Sequence, residues 1–175
     1  MHKKIAVGSL FIILAFVNWS IAKKEKHRAE GKEVFLKLAP VDPRSLMQGD
    51  YMALRFKLAD EVYRALPKTE DPSRWRHDVE ASDGFVVTAL DDRNIGRFKG
   101  VYEDQILADN EILLRFRVRN GTVQFATNAF YFQEGHADIY EAAEYGQFRV
   151  DDQGELLLVA MYDKGLKKIN PDEIE

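Results

Sequence analysis

An uncharged segment near the amino terminus constrains the fold of this chain most strongly. The 18 residues from Ile5 to Ala22 contain no charged side chain, and lysines flank them on both sides. As a helix this segment is about 27 Å long, close to the thickness of a bilayer's hydrocarbon core. Trp19 lies near its end, where the bilayer interface favours aromatic side chains. The sequence therefore predicts a helix that contacts the lipid bilayer through residues 5–22.

A cleavable signal peptide is the alternative to a permanent anchor. Ser20 and Ala22 place small residues at the −3 and −1 positions of a possible cleavage site. The apolar run, however, is longer than the about 7–15 residues that are usual for the hydrophobic region of a signal peptide. A Lys-Lys-Glu-Lys tract also follows it at once. We therefore expect an uncleaved anchor.

The charges that flank the segment give conflicting indications of its orientation. Four basic residues follow it within residues 23–28, whereas Lys3 and Lys4 precede it. The positive-inside rule taken alone places the C-terminal domain in the cytoplasm. A very short amino-terminal tail before a signal-like segment, by contrast, typically stays in the cytoplasm, which places the C-terminal domain on the other side of the membrane. We expect a single-pass protein of the cytoplasmic (inner) membrane with its globular domain outside the cytoplasm.

The rest of the chain has the composition of one acidic globular domain. Residues 31–175 carry 19 basic and 27 acidic side chains, a net charge of −8. Because phosphate contacts need a basic surface, we expect no nucleic-acid partner. The absence of cysteine excludes disulfides, thiolate metal sites and a cysteine nucleophile. The expected organisation is an anchor with a charged juxtamembrane segment in 1–30 and a β-rich domain in 31–175.

Alternating apolar and polar residues predict a mainly β fold. The clearest alternation covers Tyr51–Leu58, whose even-numbered residues are all apolar. Asn120-Gly121 separates two further runs and is typical of a type I′ hairpin turn. In a second hairpin, Leu156–Met161 is apolar on both faces, which predicts a central, covered strand. Seven or eight strands with a few short helices favour an antiparallel β sandwich or an open barrel.

Residues 59–83 interrupt the strand pattern, and we expect them to form an insertion into the strand framework. Ala59–Leu66 and Pro72–Glu80 have the composition and spacing of short helices. Glu134–Glu144 predicts one further short helix.

The strand signal at residue 51 lies within a recognisable sequence signature. The segment Gly49-Asp50-Tyr51-Met52-Ala53-Leu54-Arg55-Phe56 resembles the signature of the GDYXXLXY protein family, except that Phe56 stands where the family has Tyr. An aromatic segment at residues 130–135 continues the resemblance. The resemblance implies a small membrane-anchored bacterial protein. Because family members tend to be encoded near polytopic membrane proteins, it also implies a partner of that kind, and it provides no catalytic residues.

The signature residues themselves have mostly structural explanations. Gly49 permits a positive φ, and Asp50 accepts hydrogen bonds from nearby backbone amides, which together fix a turn. Leu54 and Phe56 are expected in the core. Tyr51 is the exception, because it shares the other face of the strand with Arg55 and Lys57. Tyr51 and Arg55 are therefore candidate contacts for a partner.

A second strand is predicted to carry a cationic face. Arg115, Arg117 and Arg119, here called the arginine stripe, alternate with apolar residues, which places three guanidinium groups on one side of the strand. Such a stripe is suited to an acidic partner or a small anionic ligand. The alternative is a solvated face that neighbouring Asp and Glu side chains neutralise.

A weaker similarity to the leader-peptidase β fold supplies an alternative function. In that fold a Ser-Met-x-Pro-x-Leu segment precedes a Gly-Asp turn, and here Val41–Leu46 precedes Gly49. No serine occupies the position of the nucleophile, because Ser45 follows Pro43 instead of preceding it. A membrane-tethered hydrolase that pairs a serine with a nearby base is the alternative to a binding domain.

Motifs for metal or cofactor chemistry are sparse. Glu134, His136 and Asp138 gather two carboxylates and an imidazole, and they are the candidate metal ligands. A helix that begins nearby explains the carboxylates as well, because acidic side chains favour a helix amino terminus. We find no Gly-rich phosphate loop, His-Glu-x-x-His or Gly-x-Ser-x-Gly motif, and we expect no metal and no cofactor. The expected function is that of a non-catalytic binding or accessory subunit of a membrane protein complex.

Overall fold

The uncharged segment lies within one long helix, α1 (His2–Glu30). The structure, a computed structural model, describes residues 2–39, 47–48, 51–68 and 79–171. Within α1, Val7–Glu30 is long and apolar enough to cross a membrane, and its most apolar window has a mean hydropathy of 1.4 with no part buried. A signal sequence has the same properties, so the permanence of the anchor stays a prediction.

Ten strands and two further helices follow α1 in the described part of the chain. They are β1 (Lys32–Lys37), β2 (Met47–Gln48), β3 (Tyr51–Ala53), α2 (Lys57–Ala65), β4 (Asp83–Leu90), β5 (Gly96–Val101), β6 (Glu111–Arg119), β7 (Thr122–Gln124), β8 (Ala129–Tyr131), α3 (Ala137–Tyr140), β9 (Tyr145–Val150) and β10 (Leu156–Tyr162). The strands form three antiparallel sheets with the orders β1-β9-β10, β2-β3-β8 and β5-β4-β6-β7.

Backbone contacts between the sheets join them into a curled, half-barrel arrangement. Leu38 bridges Phe56, which links the end of β1 to the chain beyond β3, and Phe35 bridges Ile95 before β5. The amide of Arg115 in β6 donates to a carbonyl in the β9–β10 turn over 2.8 Å. The prediction of a mainly β, antiparallel fold behind an N-terminal apolar helix is confirmed.

The core combines apolar side chains from all three sheets and one face of α2. Leu36, Met52, Leu114 and Phe148 come from four strands in the three sheets, and each is at most 1% exposed. The Phe148 ring packs edge-on against another core phenylalanine, with 5.3 Å between the ring centroids. Burial of each such side chain stabilises the fold by about 1.5–3 kcal/mol.

The predicted strand Tyr51–Leu58 is too long. β3 ends at Ala53, and α2 begins at Lys57. The strand ends early because Leu58, Ala59 and Val62 have helical spacing and are buried together as one face of α2. The predicted burial of Leu54 and Phe56 is nevertheless confirmed, and Met52 and Leu58 are buried as well.

The prediction that Leu156–Met161 forms a central strand is wrong. β10 lies at the edge of its three-stranded sheet, and β9 is the central strand. β9 carries polar side chains, which concealed its position in the sequence. Gln147 donates a side-chain hydrogen bond to Glu33 on β1, and the Arg149 guanidinium lies 3.6 Å from the same carboxylate. Cross-strand partners of this kind allow polar residues to occupy a central strand.

The other local predictions have different outcomes. The Asn120-Gly121 hairpin is confirmed, because both residues have positive φ, 51° and 68°. The helix predicted at Ala59–Leu66 corresponds to α2, whereas the one predicted at Glu134–Glu144 is reduced to the four residues of α3. Residues 69–78 lie outside the described residues, so most of the predicted helix Pro72–Glu80 and the central part of the predicted insertion do too.

Candidate binding surfaces

Two tyrosines form an aromatic pair on the sheet β2-β3-β8. Tyr51 on β3 lies directly opposite Tyr131 on β8, and their ring centroids are 5.7 Å apart. Tyr131 is 75% exposed, and Tyr51 is half-buried. The neighbouring cross-strand pair, Met52 and Phe130, instead packs in or against the core. We call Tyr51 and Tyr131 the tyrosine pair, because the alternation of the two strands places both rings on the side away from the core.

Arg55 follows Tyr51 by four residues in the sequence, and its guanidinium forms an ion pair with a residue nearby in the chain. Its Nη2 lies 2.7 Å from Oδ1 of Asp60, which is in the first turn of α2. Both side chains are exposed or nearly so, and an exposed ion pair contributes little to stability. Of the remaining signature residues, Leu54 and Phe56 are buried as expected. Gly49 and Asp50 lie outside the described residues.

Each member of the arginine stripe has a carboxylate partner. Arg119 contacts Asp83 at 2.7 Å, and Arg115 lies 3.4 Å from the same carboxylate. Arg115 also forms a charge-assisted hydrogen bond with Glu155, whose other oxygen lies 3.7 Å from Arg117. Two carboxylates therefore neutralise most of the charge of three guanidinium groups.

These contacts shift the pKa of two of the groups, Asp83 and Arg115. The hydrogen bond from Arg119 holds the pKa of the Asp83 carboxyl below its ordinary value of 3.8, and the charge of Arg115 adds to this effect. The hydrogen bond to Glu155 raises the pKa of the Arg115 guanidinium. Glu155 precedes β10, and Asp83 begins β4, so the arginine stripe links two sheets through ion pairs.

The candidate metal ligands are not gathered into a cluster. Glu134 and Asp138 are exposed, and His136 precedes α3 without a side-chain capping hydrogen bond. Among the residues that the structure describes, no group of three His, Asp or Glu side chains has the arrangement of a metal site. Ser45, the serine considered for a hydrolase, lies outside the described residues.

Tyr131 is an exposed aromatic residue that the sequence alone did not single out. It belongs to the aromatic segment at residues 130–135, but a run of aromatic residues does not show which ring faces solvent. The register of β3 against β8 decides this, because it places Tyr131 opposite Tyr51 across 80 residues of chain. That register depends on tertiary contacts.

Comparison with known proteins identifies the family. A search of curated proteins and a search of solved structures each found no match to this chain. The sequence profile of the GDYXXLXY protein, by contrast, matches residues 13–161. The match extends from the apolar part of α1 through the signature strand to β10, and it covers most of the chain. The chain therefore belongs to the GDYXXLXY protein family.

Proposed function

We propose that this protein is a membrane-anchored, non-catalytic accessory subunit that binds a polytopic membrane protein in the same bilayer. In this proposal α1 spans the cytoplasmic membrane, and the β domain lies outside the cytoplasm. The family match supports the proposal because it begins within the apolar segment, at residue 13, and continues through the domain.

The junction between α1 and the domain is the observation that carries the proposal. β1 begins two residues after α1 ends, and the amide of Gly31 donates to the carbonyl of His27 over 3.0 Å. The Nε2 atom of His27 lies 2.9 Å from the carbonyl oxygen of Arg149, whose guanidinium donates to the carbonyl of Gly31 over 3.1 Å. A short, bonded junction holds the domain in one orientation relative to the bilayer. Such a domain is preorganised to meet a neighbour in the membrane.

The tyrosine pair is the proposed contact surface. Exposed aromatic side chains are frequent hot spots of protein interfaces, because they bury a large area with little loss of conformational entropy. Tyr131 presents its ring to solvent, and Arg55, which follows Tyr51 by four residues in the sequence, has an exposed guanidinium. The arginine stripe supports no separate ligand site in this proposal, because an anionic ligand would have to displace Asp83 and Glu155.

Crosslinking of the full-length protein in its native membrane, followed by affinity purification, tests the proposal. We expect a polytopic membrane protein to be recovered in near-stoichiometric amount with the wild type. The double variant Tyr131→Ser, Arg55→Gln is expected to reduce this recovery strongly. The loss of one aromatic hot spot weakens binding by about 2 kcal/mol, or about 30-fold.

Arg93→Gln is the matched control for Arg55→Gln, because Arg93 is an exposed arginine in the β4–β5 turn, outside the tyrosine pair. It should leave recovery of the partner unchanged. Recovery of no specific membrane protein by the wild type would contradict the accessory-subunit proposal. Equal recovery by the wild type and the double variant would exclude the tyrosine pair and Arg55 as the contact.

A further inference from the structure

A cavity of about 640 Å³ lies between the end of α1 and the β domain. Its helical wall is formed by residues at positions i, i+3, i+4 and i+7, which share one face of α1. These residues are Lys23, Lys26, His27 and Glu30. The opposite wall comes from the β9–β10 turn at residues 151–154, the first residues of β6, and Leu107.

The position of the cavity along α1 places it at the level of lipid headgroups. Lys23 directly follows the uncharged segment, so it lies where the helix leaves the hydrocarbon core. The headgroup region occupies roughly 5–8 Å on each side of a bilayer. Glu30 lies seven residues beyond Lys23, or about 10 Å along the helix axis. The cavity therefore begins at the hydrocarbon boundary and extends through the headgroup layer.

The wall of the cavity is already formed, because its buried contacts are satisfied within the protein. The His27 side chain is only 8% exposed, and its Nδ1 lies 3.8 Å from Oδ2 of Asp151. The other carboxylate oxygen of Asp151 accepts the amides of Gln153 and Glu155 at 3.0 and 2.9 Å. These groups hold the turn against α1 and do not need a ligand.

Other charged groups that line the cavity remain available to a ligand. Lys23, Lys32 and Asp152 all line it and are exposed, and none of them forms an ion pair within the described residues. Lys26 and Glu30 pair with each other at 3.6 Å but are largely exposed. Along α1 the cation Lys23 comes first and the anion Glu30 follows, with increasing distance from the hydrocarbon core.

This order of charges matches one class of lipid headgroup. In a phospholipid that ends in an ammonium group, the phosphate lies nearer the acyl chains and the ammonium group lies further out. Lys23 is placed to contact the phosphate, and Glu30 and Asp152 are placed to accept hydrogen bonds from the ammonium group. The domain carries a net charge of −8, which disfavours a headgroup with only negative charge.

An exposed loop beside the cavity provides a second observation that points to the bilayer. Ile106 is 97% exposed, and the next residue, Leu107, lines the same cavity as Lys23. A fully exposed isoleucine next to a membrane-spanning helix gains favourable burial if the bilayer interface covers it.

We propose that this cavity binds the headgroup of a phospholipid that carries a phosphate and a primary ammonium group. The lipid belongs to the bilayer that α1 enters. A primary ammonium group donates N–H hydrogen bonds to carboxylates, whereas a trimethylammonium group has no N–H to donate. The site therefore distinguishes the two headgroups.

Native mass spectrometry of the full-length protein, released from nanodiscs that contain equal amounts of phosphatidylethanolamine, phosphatidylcholine and phosphatidylglycerol, tests the proposal. We expect the wild type to retain phosphatidylethanolamine preferentially. Lys23→Gln and Asp152→Asn should each reduce that retention about tenfold, the effect of losing one charge-assisted hydrogen bond.

The chain offers a matched control for each variant. Lys24→Gln removes the same charge at the same level of α1 but from a residue that does not line the cavity. Asp92→Asn is the control for Asp152→Asn, because Asp92 has the same place in the Asp-Asp turn between β4 and β5 as Asp152 has in the turn between β9 and β10. Both controls should retain the lipid as the wild type does. Equal losses in Lys23→Gln and Lys24→Gln, or equal retention of the three lipids by the wild type, would overturn the proposal.

Discussion

At the scale of single residues, Thr88 in β4 has a hydroxyl group without a hydrogen-bond partner among the described residues. The side chain is fully buried. Its methyl group, by contrast, packs closely against Gly96. The space between them is so small that a Cβ atom added at Gly96 would lie 2.8 Å from Cγ2 of Thr88. A buried hydroxyl without a partner costs roughly 1–3 kcal/mol. The shape of Thr88 is therefore well suited to the core, and its polarity is not.

Thr88→Val is expected to raise the free energy of unfolding by about 1 kcal/mol, because valine keeps the shape and removes the unpaired hydroxyl. Thr88→Ser is the matched control. It keeps the hydroxyl and removes the methyl group, so we expect a decrease of about 1 kcal/mol. Urea unfolding of the full-length protein in detergent, followed by circular dichroism, measures both changes. A valine variant less stable than the wild type would contradict this account of Thr88.

Residue-scale predictions from the sequence succeeded where burial follows from local alternation. Leu54 and Phe56 were expected in the core and are buried. Whether Tyr51 and Arg55 contact a partner is still a prediction. Their surroundings were not readable from the sequence. Tyr131 becomes a neighbour of Tyr51 through strand register, and Asp60 becomes a neighbour of Arg55 through the early start of α2.

At the scale of elements, the junction of α1 with β1 depends on the absence of a side chain at Gly31. A Cβ atom at this position would lie 2.6 Å from the carbonyl oxygen of His27 and 3.0 Å from Cβ of Arg149. The helix and the strand can approach each other this closely only because residue 31 is glycine.

Gly31→Ala is expected to lower the free energy of unfolding by about 1–3 kcal/mol, the usual cost of adding a methyl group to a packed site. Gly100→Ala is the matched control, because nothing lies within 4 Å of a Cβ atom there. We expect that control to change stability by less than about 0.5 kcal/mol. Thermal unfolding of the full-length protein in detergent compares the two variants. Similar effects of both variants would show that the junction is not tightly packed at Gly31.

The type of most elements was predictable, whereas their ends and their order in the sheets were not. The hairpin at Asn120-Gly121 is encoded locally, because the turn requires positive φ at both residues. The end of β3 was misjudged because an alternating pattern continued into the first residues of α2. The central position of β9 was missed because its polar residues find partners on β1, which is more than 100 residues away in the sequence.

At the scale of the whole molecule, the sheet β1-β9-β10 defines an end close to α1 and an end away from it. Lys32 pairs with Val150, which pairs with Leu156, at the end near α1. Lys37, Tyr145 and Tyr162 lie together at the other end. Lys164 follows β10 there and is exposed, so it reports the side of the membrane that the domain occupies.

Labelling of single-cysteine variants with a membrane-impermeant maleimide tests the orientation, and the natural chain contributes no background because it has no cysteine. We expect Lys164→Cys to react in intact cells, because the domain is proposed to lie outside the cytoplasm. Lys3→Cys is the control on the other side, and it should react only after the membrane is permeabilised. The opposite pattern would place the domain in the cytoplasm, and loss of residue 3 from the mature protein would reveal cleavage of the amino-terminal segment.

The sequence by itself determined the properties that depend on neighbouring residues. These are the apolar helix, the strand alternation, the hairpin turn and, through the signature at residues 49–56, the family. Only the tertiary structure decided which distant groups meet: the tyrosine pair across two strands, the carboxylates that neutralise the arginine stripe, and the cavity between α1 and the β9–β10 turn. Periodicity shows the face on which a side chain lies, but the opposing side chain depends on register and packing between segments far apart in the chain.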